Sequence, residues 1–240
     1  MNSLYRFSYR ILLLVFLCGL VLGCAEAKRE AAWGVSDFQV SERATIAQVQ
    51  NIAPQIRPAD TTERDDWDLR IRMSNDGRTA ILNGVISDDT PGQLYEIAAR
   101  YPSLNLLVLA NVPGSVDDEA NLYIARWVRK AGLSTFVPRG GEIASGGVDF
   151  YLAGVGRFAH PRARFGVHSW GECLLFIVCK EGREVARDAP QHQPYLSYYR
   201  DMGTPQDFYW FTLTVADLDE VHWMTRREID HFDMVTHWLN

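Results

Sequence analysis

The stretch RGGEIASGGVDFYLAG, from Arg139 to Gly154, decides the fold because it passes from a strand to a helix between two glycine pairs. The β-type run Thr135 to Val137 precedes it, and helical spacing of apolar residues begins at Val148. Ser145 therefore stands at the opening of a helix, where unpaired backbone N–H groups point outward. A serine there is either an N-cap residue or a hydroxyl presented for chemistry, and the local sequence alone favours the cap.

The composition of the whole chain is that of a globular protein. Its 240 residues are 47% hydrophobic and 12% aromatic, which suffices for one well-buried domain with extensions. Strands alternate with helices on both sides of the deciding stretch, a pattern typical of an α/β core with a parallel sheet. The predicted elements are a short helix at 45–52, a β-hairpin at 69–86, a helix from 90 to 101, a central strand at 104–110, a helix at 117–131, a strand at 133–137, a helix after Ser145, two short strands at 156–158 and 163–168, an irregular excursion at 169–194, and helices at 195–202 and 225–231.

The N-terminus has the features of a secretory signal, with Arg6 and Arg10 placed before the apolar run of residues 11–22. Two cleavage sites compete. Residues 21–24 resemble a bacterial lipobox that would make Cys24 a lipidated first residue, whereas residues 25–27 fit ordinary signal peptidase. We favour the lipobox, and predict a signal peptide at 1–23, a tether and N-terminal extension at 24–68 and a catalytic domain at 69–240. The predicted location is the periplasmic side of a bacterial cell envelope, lipid-anchored, or else soluble in the periplasm or secreted.

The charge of the mature chain excludes some classes of partner. Residues 1–23 hold two arginines and no acidic residue, so their removal takes the net charge from −6 to −8. Nucleic acid and anionic lipid surfaces attract basic proteins, and we therefore predict neither as a partner.

The two cysteines within the mature domain, Cys173 and Cys179, would lie in a compartment where disulfides persist. We predict that they form a disulfide. The alternative is a pair of buried free thiols, because the apolar run LLFIV between them also suits a buried strand.

Three motifs together resemble the ClpP/crotonase superfamily, and more narrowly the secreted or membrane-attached bacterial ClpP-like serine peptidases. They are a strand ending in Asn-Val-Pro-Gly-Ser at 111–115, the Ala-Ser-Gly-Gly turn at 144–147, and a strand ending in Arg-Phe-Gly-Val-His-Ser at 164–169. The similarity runs from about Arg78 to Thr236, and the order and spacing of the motifs carry it. The resemblance implies a ββα superhelix with a predominantly parallel sheet.

The resemblance also implies roles for particular residues. Ser145 would be the nucleophile and His168 its general base, since a serine hydroxyl is a poor nucleophile until an imidazole takes its proton. The oxyanion would be held by the N–H of Gly146 and by an N–H of the Pro-Gly-Gly loop, which here contains Gly114 and Ser115. Ser115 replaces the second glycine of that loop, which retains the N–H but loses glycine's conformational freedom.

The third member of the expected triad does not match the family pattern. The slot that holds aspartate in ClpP holds Val221 here, so we predict Asp219 as the orienting acid, with Glu220 and Asp207 as alternatives. A Ser/His dyad whose imidazole is oriented by a backbone carbonyl or by water is also compatible with the sequence. In a Ser/Lys arrangement Lys180 would be the candidate.

The resulting hypothesis is an envelope serine hydrolase that cleaves peptide bonds, or an ester, through an acyl-enzyme. It implies a peptide or unfolded-protein substrate, a homo-oligomer and no cofactor, and the histidines show no metal-binding spacing. The alternative is a catalytically degenerate oligomeric binding or scaffold protein. Acyl-CoA chemistry is disfavoured because a secreted chain would not meet CoA. The aromatic residues between 195 and 211 are predicted to be core, with a pocket for an apolar peptide side chain as the alternative.

Overall fold

The computed structural model describes residues 37–57, 60–61, 68–174 and 178–239 of the chain, with the side chains at 172–174, 178 and 179 left undescribed. The predictions of a signal peptide and of lipidation at Cys24 lie outside the described residues. The helices are α1 (Ile46–Ile52), α2 (Thr90–Arg100), α3 (Asp118–Ala131), α4 (Gly146–Leu152), α5 (Gln193–Met202), α6 (Gln206–Val215) and α7 (Arg226–His231). The strands are β1 (Arg70–Met73), β2 (Thr79–Asn83), β3 (Leu106–Val112), β4 (Ser134–Val137), β5 (Glu142–Ala144), β6 (Arg157–Ala159), β7 (Arg164–Val167), β8 (Gly171–Leu174), β9 (Val178–Glu181), β10 (His222–Trp223) and β11 (His237–Trp238).

Within the described residues, nine strands form one curled and mostly parallel sheet that divides at β3. β2 lies along one edge of β3, while the other edge is shared by two strands in succession. The first half of β3 pairs with β4, and its last two residues, Asn111 and Val112, pair with β5. One branch therefore continues through β4, β6 and β11, and the other through β5, β7 and β10. The predicted α/β class and its mainly parallel sheet are confirmed.

The core lies on both faces of β3, as its uninterrupted apolar sequence predicts. Leu107 and Leu109 pack into a large cluster with the buried faces of α2, α3 and α4. Leu106, Val108 and Ala110 face the opposite way and pack with Val49 and Ile52 of α1. Every residue of β3 is buried, and this central strand fixes the position of the loop that follows it.

Helix α3 has strong signals at both ends. The Asp117 side chain accepts a hydrogen bond from the N–H of Ala120, and Gly132 ends the helix in a left-handed conformation. The chain before α1 docks at this C-terminal end, where the N–H of Val40 donates to the carbonyl of Ala131 at 3.0 Å. Phe38 contacts the ring of Trp127, with ring centroids 5.8 Å apart.

Four other predicted elements are confirmed, namely the short helix near residues 45–52, the β1–β2 hairpin, α2 and α4. Thr45 caps α1 by accepting from the N–H of Gln48. None of the helices in the described ranges is long and apolar enough to cross a membrane.

Two expectations about local structure were wrong. Residues 169–194 are not wholly irregular, because β8 and β9 form an antiparallel hairpin and two short 3-10 helices follow. The aromatic segment 207–213 is helical and belongs to α6. In addition, Glu142 to Ala144 forms the strand β5, which the sequence did not predict. Its three residues show no apolar period, and its pairing with β3 and β7 decides its conformation.

Candidate active site

Ser145 occupies the sharp turn between β5 and α4 in a conformation that is rare for a residue with a side chain. Its φ is 50° and its ψ is −128°. It stands at the N-cap position of α4, yet its side chain makes no capping hydrogen bond. Its backbone is fixed instead, since its N–H donates to the carbonyl of Gly166 at 3.0 Å and its carbonyl accepts from Val148. The cap interpretation therefore fails, and the hydroxyl is left for another use.

The two glycines after Ser145 allow the turn to pack closely. A Cβ on Gly146 would lie 2.1 Å from Ser115 Oγ and 2.8 Å from Asn121 Nδ2. A Cβ on Gly147 would lie 2.2 Å from the carbonyl oxygen of Val112, at the end of β3. These distances are too short for any side chain, so both glycines are needed to bring the start of α4 against β3 and its loop.

Asn121 holds the same turn from α3, and the sequence interpretation did not identify it. Its side chain is buried and donates from Nδ2 to the carbonyl of Gly146 at 2.9 Å. A signal was present, because Asn121 lies within the apolar stripe of α3 beside Ala120 and Ile124. A polar residue on a buried helix face requires a partner.

The two residues expected to supply the oxyanion donors, Gly146 and Ser115, are in close contact. The N–H of Gly146 is at the first turn of α4, where no intrahelical acceptor exists. The loop after β3 is fixed by pairing with Ile86. The N–H of Ile86 donates to the carbonyl of Gly114, and the carbonyl of Ile86 accepts from the N–H of Val116, so that Ser115 lies opposite Ile86. Among the described non-glycine residues only Ser145 and Asp233 have a positive φ, so Ser115 replaces a glycine without backbone strain.

His168 follows β7 directly and lines the same pocket as Ser145. Its Nδ1 lies 2.7 Å from the carbonyl oxygen of Ser169. A carbonyl oxygen only accepts hydrogen bonds, so Nδ1 carries the proton in this contact and Nε2 keeps its lone pair. This is the tautomer that a general base for a serine requires. No hydrogen bond joins Ser145 Oγ to the imidazole among the contacts of the described residues.

The pocket is formed by α3, α4, α5, α6 and the segment after β7. It is a narrow cleft that opens to solvent. Its lining comprises Asp118, Ser145, Gly146, Val148, Asp149, Val167, His168, Trp170, Tyr195, Tyr199, Phe208, Tyr209 and Thr212.

Two carboxylates in this lining are tied to tyrosines of α5. Asp118 accepts from Ser115 Oγ at 2.5 Å and from the Tyr195 hydroxyl at 2.6 Å. Asp149 Oδ1 accepts from the Tyr199 hydroxyl at 2.5 Å. Burial raises the pKa of Asp149 to about 7, the hydrogen bond from Tyr199 opposes that rise, and the charge of Asp118 adds to it.

A hydrogen-bond chain supports the far wall of the pocket. Trp170 Nε1 donates to the hydroxyl of Tyr209 at 2.9 Å, and that hydroxyl donates to His192 Nδ1 at 2.7 Å. His192 is fully buried and does not line the pocket. Its role in this arrangement is to hold Tyr209 and Trp170, which agrees with the structural role that the sequence indicated.

The candidates for the third catalytic residue lie outside this constellation. Asp219, Glu220 and Asp207 are all exposed, and none of them lines the pocket. Lys180 is exposed on β9. The roles of these residues stay predictions, whereas the Ser169 carbonyl already occupies Nδ1 of His168, as in the carbonyl-oriented dyad that the sequence left open.

Cys173 and Cys179 face each other in the backbone register of the β8–β9 hairpin. Directly opposed residues in an antiparallel pair have Cα atoms about 4.5–5.5 Å apart, which a disulfide can span. The disulfide stays a prediction that this register favours. Elsewhere in the described part of the chain, no group of three or more His, Cys, Asp and Glu side chains could hold a metal ion.

Comparison with known proteins gives a match in structure alone. No protein-family model matches the sequence, and no curated protein matches it. The solved structure of a ClpP1 point mutant from Listeria monocytogenes is similar with a TM-score of 0.50 and 17% identity, covering 69% of this chain and 92% of that chain.

A second solved structure is a point mutant of the 1510-N membrane-bound stomatin-specific protease, in complex with a substrate peptide. It matches with a TM-score of 0.43 and 15% identity, covering 65% of this chain and 75% of that chain. The divided parallel sheet and the ClpP1 match together show that this chain has the fold of the ClpP-like superfamily.

Proposed function

We propose that the chain is a serine hydrolase that cleaves peptide bonds through an acyl-enzyme on Ser145. One observation carries the proposal. Ser145 is held at a positive φ at the start of α4 with no capping bond, and it opens on the same pocket as His168, whose tautomer suits a general base. A strained serine at a helix start has no structural benefit here, and such strain is typical of functional turns.

The proposed reaction begins when Ser145 Oγ attacks the carbonyl carbon of the scissile bond and its proton passes to His168 Nε2. The N–H groups of Gly146 and Ser115 hold the oxygen of the tetrahedral intermediate. Collapse breaks the C–N bond, and His168 returns the proton to the leaving amine. A water molecule then attacks the acyl carbon and passes a proton to His168. The bond from the acyl carbon to Ser145 Oγ breaks, His168 returns the proton to Oγ, and the acid leaves.

The hydrogen bond from His168 Nδ1 to the Ser169 carbonyl performs one of the two functions that the aspartate has in a full triad. It fixes the tautomer and the orientation of the ring. A neutral carbonyl stabilises an imidazolium less than a carboxylate does. We therefore expect slower turnover than with a full triad, unless Asp219 or its neighbours approach His168 in an oligomer.

A fluorophosphonate probe tests this function directly. Wild-type protein is expected to be labelled between about pH 6 and 9, where neutral imidazole is available. Ser145→Ala should abolish labelling, and His168→Ala should slow it by about 10²-fold or more because the hydroxyl loses its base. Ser103→Ala, which changes an exposed serine outside the pocket, is the matched control and should label normally. Folded wild-type protein that never labels would sink the proposal.

The alternative from the sequence is a catalytically degenerate binding or scaffold protein. It predicts that Ser145→Ala leaves every measurable property unchanged. The homo-oligomer, which the family resemblance implies, and the envelope location, which the N-terminal sequence predicts, remain parts of the proposal. An ester stays the alternative scissile bond.

A further inference from the structure

We infer that the pocket beside Ser145 receives a cationic side chain of the lysine or arginine class, and that Asp149 with Asp118 selects it. The inference rests on the proposed function and names its substrate class. It differs from the alternative left open by the sequence, in which the aromatic residues line a pocket for an apolar side chain.

The first argument is the charge of the lining. Asp118 and Asp149 both face the pocket, and no lysine or arginine is among its lining residues. The neighbouring cations of α3 are engaged elsewhere, since Arg126 pairs with Asp201 at 3.0 Å and Arg129 donates to the carbonyls of Leu152 and Met202. The pocket walls therefore supply no lysine or arginine to either carboxylate, and a bound cation would favour the charged form of Asp149, whose pKa burial raises to about 7.

The second argument is the free bonding capacity of the more buried carboxylate. Asp149 Oδ1 accepts from Tyr199, whereas the hydrogen bonds of the described residues leave Oδ2 unused. A carboxylate has room for about four hydrogen bonds, and a partly buried one that lacks a strong partner is unfavourable. An ammonium or guanidinium group from a substrate would supply that partner.

The third argument is the aromatic wall. Trp170, Tyr195 and Tyr209 line the pocket and stack on one another, with Trp170 and Tyr195 nearly parallel at 6.2 Å and Tyr195 and Tyr209 nearly parallel at 5.5 Å. Flat aromatic faces pack well on the methylene stem of a long basic side chain and attract its cationic end. A purely apolar side chain would pack on these rings, but it would remove water from the carboxylates without giving them a charged or hydrogen-bonding partner.

The kinetic test compares substrates that differ only at the residue before the scissile bond. Short amide substrates with Arg, Lys, Leu or Glu at this position are offered to the wild type, Asp149→Asn and Glu119→Gln. We expect wild type to prefer Arg and Lys, and Asp149→Asn to lower kcat/KM for these two by about 10- to 100-fold. The readout is the ratio of kcat/KM for the Arg substrate to kcat/KM for the Leu substrate at about pH 8, where Asp149 is ionised. This ratio should fall about tenfold or more in Asp149→Asn and stay within about threefold of wild type in Glu119→Gln.

Glu119→Gln is the matched control for charge, because Glu119 is exposed, adjacent to Asp118 and absent from the pocket lining. A wild type that is labelled by the probe yet prefers Leu over Arg and Lys would overturn the inference and leave the hydrolase proposal standing. Absence of labelling would instead contradict the hydrolase proposal.

A binding test makes the inference independent of turnover. Benzamidine and its neutral analogue benzamide are titrated calorimetrically into the Ser145→Ala protein. We expect benzamidine to bind at least about tenfold more tightly, and this difference to vanish with Asp149→Asn added, because the loss of an ion pair removes the discrimination. Equal binding of the two compounds, or no binding of either, contradicts the inference. Asparagine keeps the Oδ1 acceptor for Tyr199, so this variant is expected to fold.

Discussion

At the scale of single residues, the conformation of Ser145 is the feature that most needs an explanation. A non-glycine residue held at such a φ costs about 1–3 kcal/mol of folding free energy. Its hydroxyl makes no capping hydrogen bond to α4 that would offset this cost. The structure thus retains a locally unfavourable serine at the mouth of a pocket, where an exposed hydroxyl has a chemical use.

Replacing Ser145 by glycine or by alanine should therefore change the stability of the protein differently, although both changes remove the hydroxyl. We expect Ser145→Gly to have a free energy of unfolding about 1 kcal/mol higher than Ser145→Ala, since glycine adopts a positive φ without strain. Both variants should lose fluorophosphonate labelling. Urea denaturation of the two proteins side by side is the measurement, and a glycine variant that is no more stable than the alanine variant would show that the turn is unstrained.

The spacing of motifs along the chain predicted roles for Ser145, His168 and two backbone N–H donors, and Ser145, Gly146 and His168 line one pocket. Nothing in the sequence pointed to Asp149 or Asp118. Acids are favoured in the first turn of a helix, which explains Asp118 at the start of α3. That local explanation was sufficient by itself, so nothing in the sequence required a second role. The pairing of these carboxylates with Tyr195 and Tyr199 depends on how α5 packs across α3 and α4, which no local pattern encodes.

At the scale of elements, the close approach of α4 to β3 positions Ser145 beside the loop that contains Gly114 and Ser115. The elements with strong local signals were predicted well, and α3 with its cap, charge order and terminal glycine is the clearest of them. β5 was missed because its conformation comes from pairing with β3 and β7, and the β8–β9 hairpin because polar residues obscure its alternation.

The approach of α4 to β3 can be tested with one methyl group. Gly147→Ala places a Cβ against the Val112 carbonyl, a backbone atom that cannot move aside. We expect a loss of about 2 kcal/mol or more in the free energy of unfolding, together with a sharp fall in labelling. Gly92→Ala in α2 is the control, because its Cβ meets nothing within 4 Å and alanine favours a helix. Similar stability of both variants would argue against the tight packing.

At the scale of the whole molecule, the pocket acids make global stability depend on pH. The pKa of Asp149 rises from 3.8 to about 7 on folding, so between these values the folded state holds a proton that the unfolded state has lost. The stabilisation from this group is complete below pH 3.8 and is lost as the pH rises through 7. The titratable groups that share its pocket are Asp118, His168, Tyr195, Tyr199 and Tyr209.

Asp149→Asn should therefore stabilise the protein more at alkaline than at acid pH. We expect its free energy of unfolding at pH 8 to exceed that of wild type by on the order of 2 kcal/mol, and at pH 5 by much less. Glu119→Gln should show no such trend. Thermal or urea unfolding across this range is the measurement, and a gain that does not vary with pH would mean that Asp149 is not protonated in the folded state.

The docking of Phe38 and Val40 on the end of α3 determines where the upstream chain joins the domain. Asp118, in the first turn of α3, lines the pocket, while Val40 bonds to Ala131 in its last turn. Thirteen helical steps of about 1.5 Å separate these two residues, a distance of roughly 20 Å. The upstream chain thus joins the domain at the end of α3 that is far from the pocket. A group attached ahead of residue 37 would therefore reach the domain at the end of α3 opposite to Asp118.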